Sequence, residues 1–170
     1  MKYKIPAISI FFAFFMSCAT NYLWLERQET KEGLTITNLS LSNEGDYDYD
    51  IPLMPSWAIT YGQKYIPVRR VNAPHGYEIF VLRGGITNTT AEKISINLKT
   101  FLVIVDGRKF APAANNIKFD NVWSVGLGKS GDPECENWHD IHQVYLLPTG
   151  SKPQRVILGD ILSIDIPPAK

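Results

Sequence analysis

The densest run of chemistry-bearing side chains in this 170-residue sequence is Asp132-Pro133-Glu134-Cys135-Glu136-Asn137-Trp138-His139-Asp140-Ile141-His142. A thiolate and two imidazoles form a ligand set suited to zinc or copper. Cys135, His139 and His142 are close enough in sequence to converge on one ion if the segment is a loop entering a strand. Within a strand, residues three apart point to opposite faces, so the set works only if the loop ends after His139. The other reading is a polar insertion with a spare thiol and surface histidines. A nucleophile pair of Cys135 and His139 lacks an identifiable orienting group or oxyanion donors.

Two further groupings invite a functional reading. Asp46-Tyr47-Asp48-Tyr49-Asp50 begins like a calcium loop, but an EF-hand needs Gly at its sixth position and Glu at its twelfth, where Ile51 and Trp57 stand. The stretch reads better as a solvated acidic loop with two exposed tyrosines. Tyr47 and Tyr49, together with Trp138, suit a contact surface, because such rings give large area at low entropy cost. Lys64, Arg69 and Arg70, with Tyr61, Tyr65 and His75 nearby, form a basic cluster that would suit polyanions. Arg69 and Arg70 point to opposite faces of a strand, so at most one joins any patch. Lys64 and Pro67 also fit the devices by which edge strands avoid pairing.

The wider composition narrows the function classes. Seventeen Lys+Arg balance 17 Asp+Glu, and the isoelectric point is about 6.8. A nucleic-acid binder would show a basic stripe or domain. No G-x-S-x-G, HExxH, P-loop or dinucleotide fingerprint is present. The segment Gly126-Leu127-Gly128-Lys129-Ser130-Gly131-Asp132 lacks the phosphate-loop spacing. No cofactor is implied, and the expectation is a protein that is not an enzyme.

The elements that must position these residues begin after residue 17. Residues 1–18 carry Lys2 and Lys4, an apolar run from Ile5 to Met16, then Ser17 and Cys18, which is the layout of a secretory signal. Twelve residues at ~1.5 Å each fall short of the ~30 Å hydrocarbon core, so the run is too short for a permanent transmembrane helix. Phe15-Met16-Ser17-Cys18 resembles a bacterial lipobox, although Phe15 and Met16 depart from the usual Leu and small or aliphatic residue. The resemblance implies that Cys18 is acylated and becomes the N-terminus. Two or three acyl chains, at ~0.8 kcal/mol per buried CH₂, hold a protein on a membrane where one does not. Ala19 stands where an Asp would favour inner-membrane retention, so the resemblance points to the outer membrane. Removal of residues 1–17 takes two lysines and no acids, leaving 15 basic against 17 acidic side chains, a net of −2. Cys135 is then left without an intrachain partner.

Residues 18–33 read as the lipidated cysteine and a tether, and 34–170 as one all-β domain. Short apolar or alternating runs recur between Gly, Pro, Asn and Asp, with no sustained helical period. Strands are expected over 34–41, 57–61, 64–71, 77–87, 93–98, 101–105, 108–111, 122–126, 141–147, 154–158 and 161–166. Asp106-Gly107, between FLVIV and RKFAP, predicts a type I′ hairpin turn. About ten short strands in this length indicate a β-sandwich or barrel.

The stretch VLRGGITNTTAEKISINLKTFLVIVDGRKFAPAA (81–114) resembles the central part of a family of bacterial secreted immunoglobulin-like domains that includes the immunoprotective extracellular antigen type. Asn88 and Thr89-Thr90 stand at its turn, Phe101 leads a strand, Asp106-Gly107 turns and Phe110 returns. LLPTGSKPQRVILGDILSIDI resembles its closing strand pair, and Gly126–Asp140 is an insertion. The resemblance implies an immunoglobulin-like β-sandwich and specifies no activity. Two readings follow. One is a lipid-anchored outer-membrane binding or adhesion module for a host or envelope macromolecule, displayed on the cell surface or on the periplasmic side. The other is a periplasmic zinc- or copper-binding lipoprotein using Cys135, His139 and His142.

Overall fold

The computed structural model describes residues 20–29, 33–53, 67–116, 123–131 and 136–167, the first of these segments as backbone. The described chain is all-β. Its strands are β1 (Thr20–Glu29), β2 (Leu34–Gly45), β3 (Tyr49–Pro52), β4 (Val68–Val71), β5 (Tyr77–Asn88), β6 (Ile94–Asn97), β7 (Phe101–Val105), β8 (Arg108–Phe110), β9 (Ala114–Asn115), β10 (Ser124–Leu127), β11 (Trp138–Pro148), β12 (Arg155–Leu158) and β13 (Leu162–Asp165), with one 3-10 turn at Leu98–Thr100. Among the described residues no helix is long and apolar enough to cross a membrane.

Four antiparallel sheets result: a five-stranded sheet in the order β1-β2-β5-β11-β9, a four-stranded sheet in the order β13-β12-β7-β8, and the pairs β10-β6 and β3-β4. The two large sheets share one core, giving a β-sandwich-like arrangement. Leu39, Leu41, Phe80, Leu82 and Ile141 of the first sheet meet Phe101, Val103, Val156 and Leu158 of the second. These residues alternate along their strands because successive side chains of a strand leave opposite faces. Between the sheets, the fully buried Tyr145 hydroxyl lies 3.1 Å from the Phe101 carbonyl oxygen and 3.1 Å from Gln143 Oε1. Burial pushes its ionisation far upward, so it stays a neutral hydrogen-bond donor.

Among the described residues, the outer face of the five-stranded sheet is covered only in part. Ile51 of β3 packs with Ile79 and Val81 of β5, Val144 of β11 and Ala114 of β9 in a second, smaller core. The β3–β4 ribbon therefore buries one end of β5 on both sides, and Ile79, Phe80, Val81 and Leu82 are all fully buried. A strand covered on two faces reads as a continuous apolar run rather than an alternation, as IFVL does. β3 ends at Pro52, and past Arg83 no described strand covers the outer face.

Most expected strands are present within a few residues, and β7 matches at both ends. Asp106 and Gly107 both have positive φ, at 48° and 74°, as a type I′ turn requires. Several elements differ from expectation. The tether expected over residues 18–33 is, across Thr20–Glu29, the edge strand β1, paired with β2 from Thr20↔Asn43 to Glu29↔Thr35. Its Tyr-Leu-Trp-Leu segment has the aromatic and apolar character that favours a strand once a neighbour offers its ladder. The acidic loop expected at 46–50 yields at Tyr49 to β3, and Ala114–Asn115 forms β9 against β11. Within the expected insertion Gly126–Asp140, residues 126–127 belong to β10 and 138–140 to β11. The expected strand over 57–61 and residues Tyr61, Lys64 and Tyr65 lie outside the described residues.

Candidate functional site

The open half of the outer face is shaped by an irregularity in β2. Its apolar alternation runs Leu34, Ile36, then slips to Leu39 and Leu41, with Asn38 between. The ladder pairs Thr37 with Gly85 and then Ser40 with Arg83, so Asn38 and Leu39 together oppose Gly84. This is a β-bulge with Asn38 at φ 50°, a left-handed conformation that Asn tolerates better than most residues. A Cβ on Gly84 would lie 3.1 Å from the Thr37 carbonyl oxygen and 3.2 Å from Leu39 Cα, so the bulge needs glycine opposite it. The extra residue keeps leucines inside on both sides of the slip. It also places Ser40, Ser42 and Glu44 on the outer face.

Registers across β2, β5 and β11 then build that face row by row. Thr35, Thr87 and Trp138 form one row, Thr37, Gly85 and Asp140 the next, and Ser40, Arg83 and His142 the third. Gly85 leaves the middle of this lattice empty, and a Cβ there would stand 2.8 Å from Thr37 Oγ1. The result is an open cleft of about 530 Å³ with Pro52 of β3 and Asn116, just after β9, also in its wall.

At the ribbon end the cleft is closed by a polar network. Arg83 Nη1 donates to Ser42 Oγ at 2.7 Å and to Glu44 Oε1 at 2.8 Å, and Ser42 Oγ donates to the same Glu44 oxygen at 2.7 Å. Arg83 Nη2 donates to Tyr49 Oη at 2.5 Å, and Tyr49 Oη lies 3.1 Å from His142 Nε2. Which of these two atoms donates follows from the tautomer of His142. The imidazole itself is neutral near pH 7. Burial first, and then the Arg83 charge, lower its pKa to about 4, although Glu44 and Asp140 act in the other direction. Burial opposes ionisation of Glu44, but the Ser42 and Arg83 hydrogen bonds and the Arg83 charge prevail and hold its carboxyl below the usual value. Burial raises the Tyr49 phenol against the pull of Arg83. Each polar group of the network thus holds its neighbour, and together they fasten β3 to the sheet.

The sequence-predicted residues fall into different places. Trp138 lines the cleft. Tyr47 is 59% exposed in the turn before β3, whereas Tyr49, expected to be an exposed loop residue, is partly buried with its hydroxyl engaged. Period-two geometry in β3 turns it toward Arg83 and His142. Tyr47, Tyr49 and Trp138 therefore do not make one patch. His139 and His142 both belong to β11, and their three-residue separation sends the rings to opposite faces. His142 joins the network, while His139 lines a different cleft with Lys93, Leu127 and Glu136. The two imidazoles do not form a common ligand pair, and among the described residues no group of three His, Cys, Asp or Glu is arranged to hold a metal. Cys135 and Cys18 lie outside the described residues. Arg70 pairs with Asp50 across the ribbon at 3.0 Å, while Arg69 Nη1 donates to the Asn115 carbonyl oxygen at 3.3 Å, so the two arginines do diverge.

Arg83, Glu44 and Ser42 were not anticipated as site residues. The signal for Arg83 was present: a charged residue followed by Gly84-Gly85, breaking an otherwise apolar strand. No protein-family model, curated protein or solved structure matches this chain.

Proposed function

We propose that the chain is an exported, lipid-anchored binding module without enzymatic activity. In this reading an immunoglobulin-like β-sandwich is held on the outer membrane through acylated Cys18 and engages a host or envelope molecule. The observation that carries the binding role is the open cleft over Gly85, built by three strands of a rigid sheet. Rigid elements position a recognition surface better than loops do. A binding rather than catalytic role is supported by the engagement of Arg83, Tyr49 and His142 with one another, which holds the cleft wall in place. Only Ala19 separates Cys18 from the start of β1, so an acyl group there would lie within about 7 Å of chain from the sheet edge. The domain would sit against the lipid surface rather than on a long leash.

Metabolic labelling with radioactive palmitate, followed by protease treatment of intact cells, tests this reading. The wild-type chain is expected to take up label, fractionate with the outer membrane and be cleaved by external protease. Cys18→Ser is expected to abolish the label and release the protein into the soluble fraction. Label retained by Cys18→Ser would overturn the anchor. A domain protected until the outer membrane is breached would overturn engagement of a host molecule.

A further inference from the structure

We infer that the cleft over Gly85 takes a neutral mono- or disaccharide, stacked on Trp138 and hydrogen-bonded by the polar side chains around the glycine floor; this rests on the binding-module reading above. A volume of about 530 Å³ lies within the range that holds small ligands, roughly 300–1,000 Å³. The chemistry of the walls selects among such ligands. Thr37, Ser40 and Thr87 supply hydroxyls that both donate and accept, Asp140 accepts, and Asn116 offers an amide. Sugar hydroxyls also donate and accept, and a wall mixing both roles matches them better than it matches an apolar ring or a peptide side chain.

Asn116 adds an independent indication. Its Nδ2 donates to the Asp140 carbonyl oxygen at 3.2 Å, while its buried Oδ1 has no hydrogen-bond partner among the described residues. An unpartnered buried acceptor calls for an explanation, and a turn of the Asn116 side chain into the cleft beside Asp140 would bring that oxygen to a ligand hydroxyl. Trp138, one row beyond Asp140 on the same face, provides a flat aromatic surface against which the C–H face of a pyranose can pack.

Charge argues for a neutral ligand. The charged lining residues are Arg83 and Asp140, of opposite sign, and Arg83 is already paired with Glu44. A sulfated or phosphorylated sugar would find no uncommitted cation among the described wall residues. The floor sets the size: Gly85 leaves room that any side chain would fill, because its Cβ would already press on Thr37.

The test uses the full chain, purified in a detergent without a sugar headgroup, on an array of neutral, sialylated and sulfated glycans. Calorimetry with a retained neutral disaccharide follows. The expected result is retention of neutral glycans, with affinity falling at least tenfold in Trp138→Ala and less in Trp138→Phe. Loss of one hydroxyl in the near-isosteric Thr87→Val is expected to weaken binding about fivefold. Lys109→Ala, at an exposed position of β8 in the other sheet, is expected to change nothing. Thermal unfolding confirms that each variant is folded, and Thr87→Val carries the test if Trp138→Ala is not. Retention of sulfated or sialylated glycans alone, no retained glycan at all, or full affinity in both Trp138→Ala and Thr87→Val would overturn the inference. Palmitate labelling and surface proteolysis do not depend on the ligand, so failure here and failure of the anchored-module reading are distinguishable.

Discussion

Arg83 hydrogen-bonds Ser42, Glu44 and Tyr49, whose hydroxyl also meets His142, and its loss would be felt at His142. Buried and next to the Arg83 charge, His142 stays neutral in the folded protein down to about pH 4, against an ordinary value of 6.5. The unfolded chain therefore binds more protons between those values. The resulting stabilisation is complete above pH 6.5 and is lost as the pH falls toward 4, by up to about 3 kcal/mol. Glu44, whose folded pKa is depressed, adds to the loss on further acidification. Urea unfolding between pH 8 and 4 is expected to show this decline. In Arg83→Met, NMR titration of the His142 ring is expected to give a higher pKa, because a nearby positive charge has been removed. The same variant is expected to cost about 2 kcal/mol at neutral pH, since Glu44 loses its partner. An unchanged His142 titration would show that the guanidinium does not act on the ring.

The element that organises the site is the bulged strand β2. Asn38 sits at φ 50°, so Asn38→Val is expected to lower stability by about 1–2 kcal/mol while Asn38→Gly is close to neutral. Deleting Asn38 should be far worse, because it turns either Leu34 and Ile36 or Leu39 and Leu41 out of the core. Thermal unfolding of the three variants checks the order, and a stable deletion variant would remove the bulge from the account. The bulge was legible in the sequence as a one-residue slip in the apolar alternation of LTITNLSLS. Its consequence was not, because the slip acquires meaning only when Gly84 is found opposite it. Strand β1 was read as a tether for a related reason. A charged stretch after a short apolar patch has no signature of its own, and its pairing with β2 is a property of the neighbour.

At the scale of the molecule, one sheet faces a second sheet on one side and a short ribbon on the other. Ile51 is the fully buried side chain through which the ribbon reaches the smaller core. Ile51→Ala is expected to cost about 2–4 kcal/mol. Hydrogen exchange should show the loss first in β3 and β4, with β7 and β12 keeping most of their protection. Equal loss of protection in both regions would mean that the ribbon and the sandwich unfold as one unit.

The sequence alone determined what is local: the all-β character, the spans of most strands, the Asp106-Gly107 turn and the divergence of Arg69 from Arg70. Each follows from period-two alternation or from the φ preferences of single residues. Only the tertiary structure decided that β11 starts at Trp138 and so takes in both His139 and His142, that Tyr49 is a partly buried link, and that Gly85 is the floor of a cleft. These outcomes depend on register between strands tens of residues apart. Register is set by which apolar faces can be buried together and by where a bulge shifts the phase.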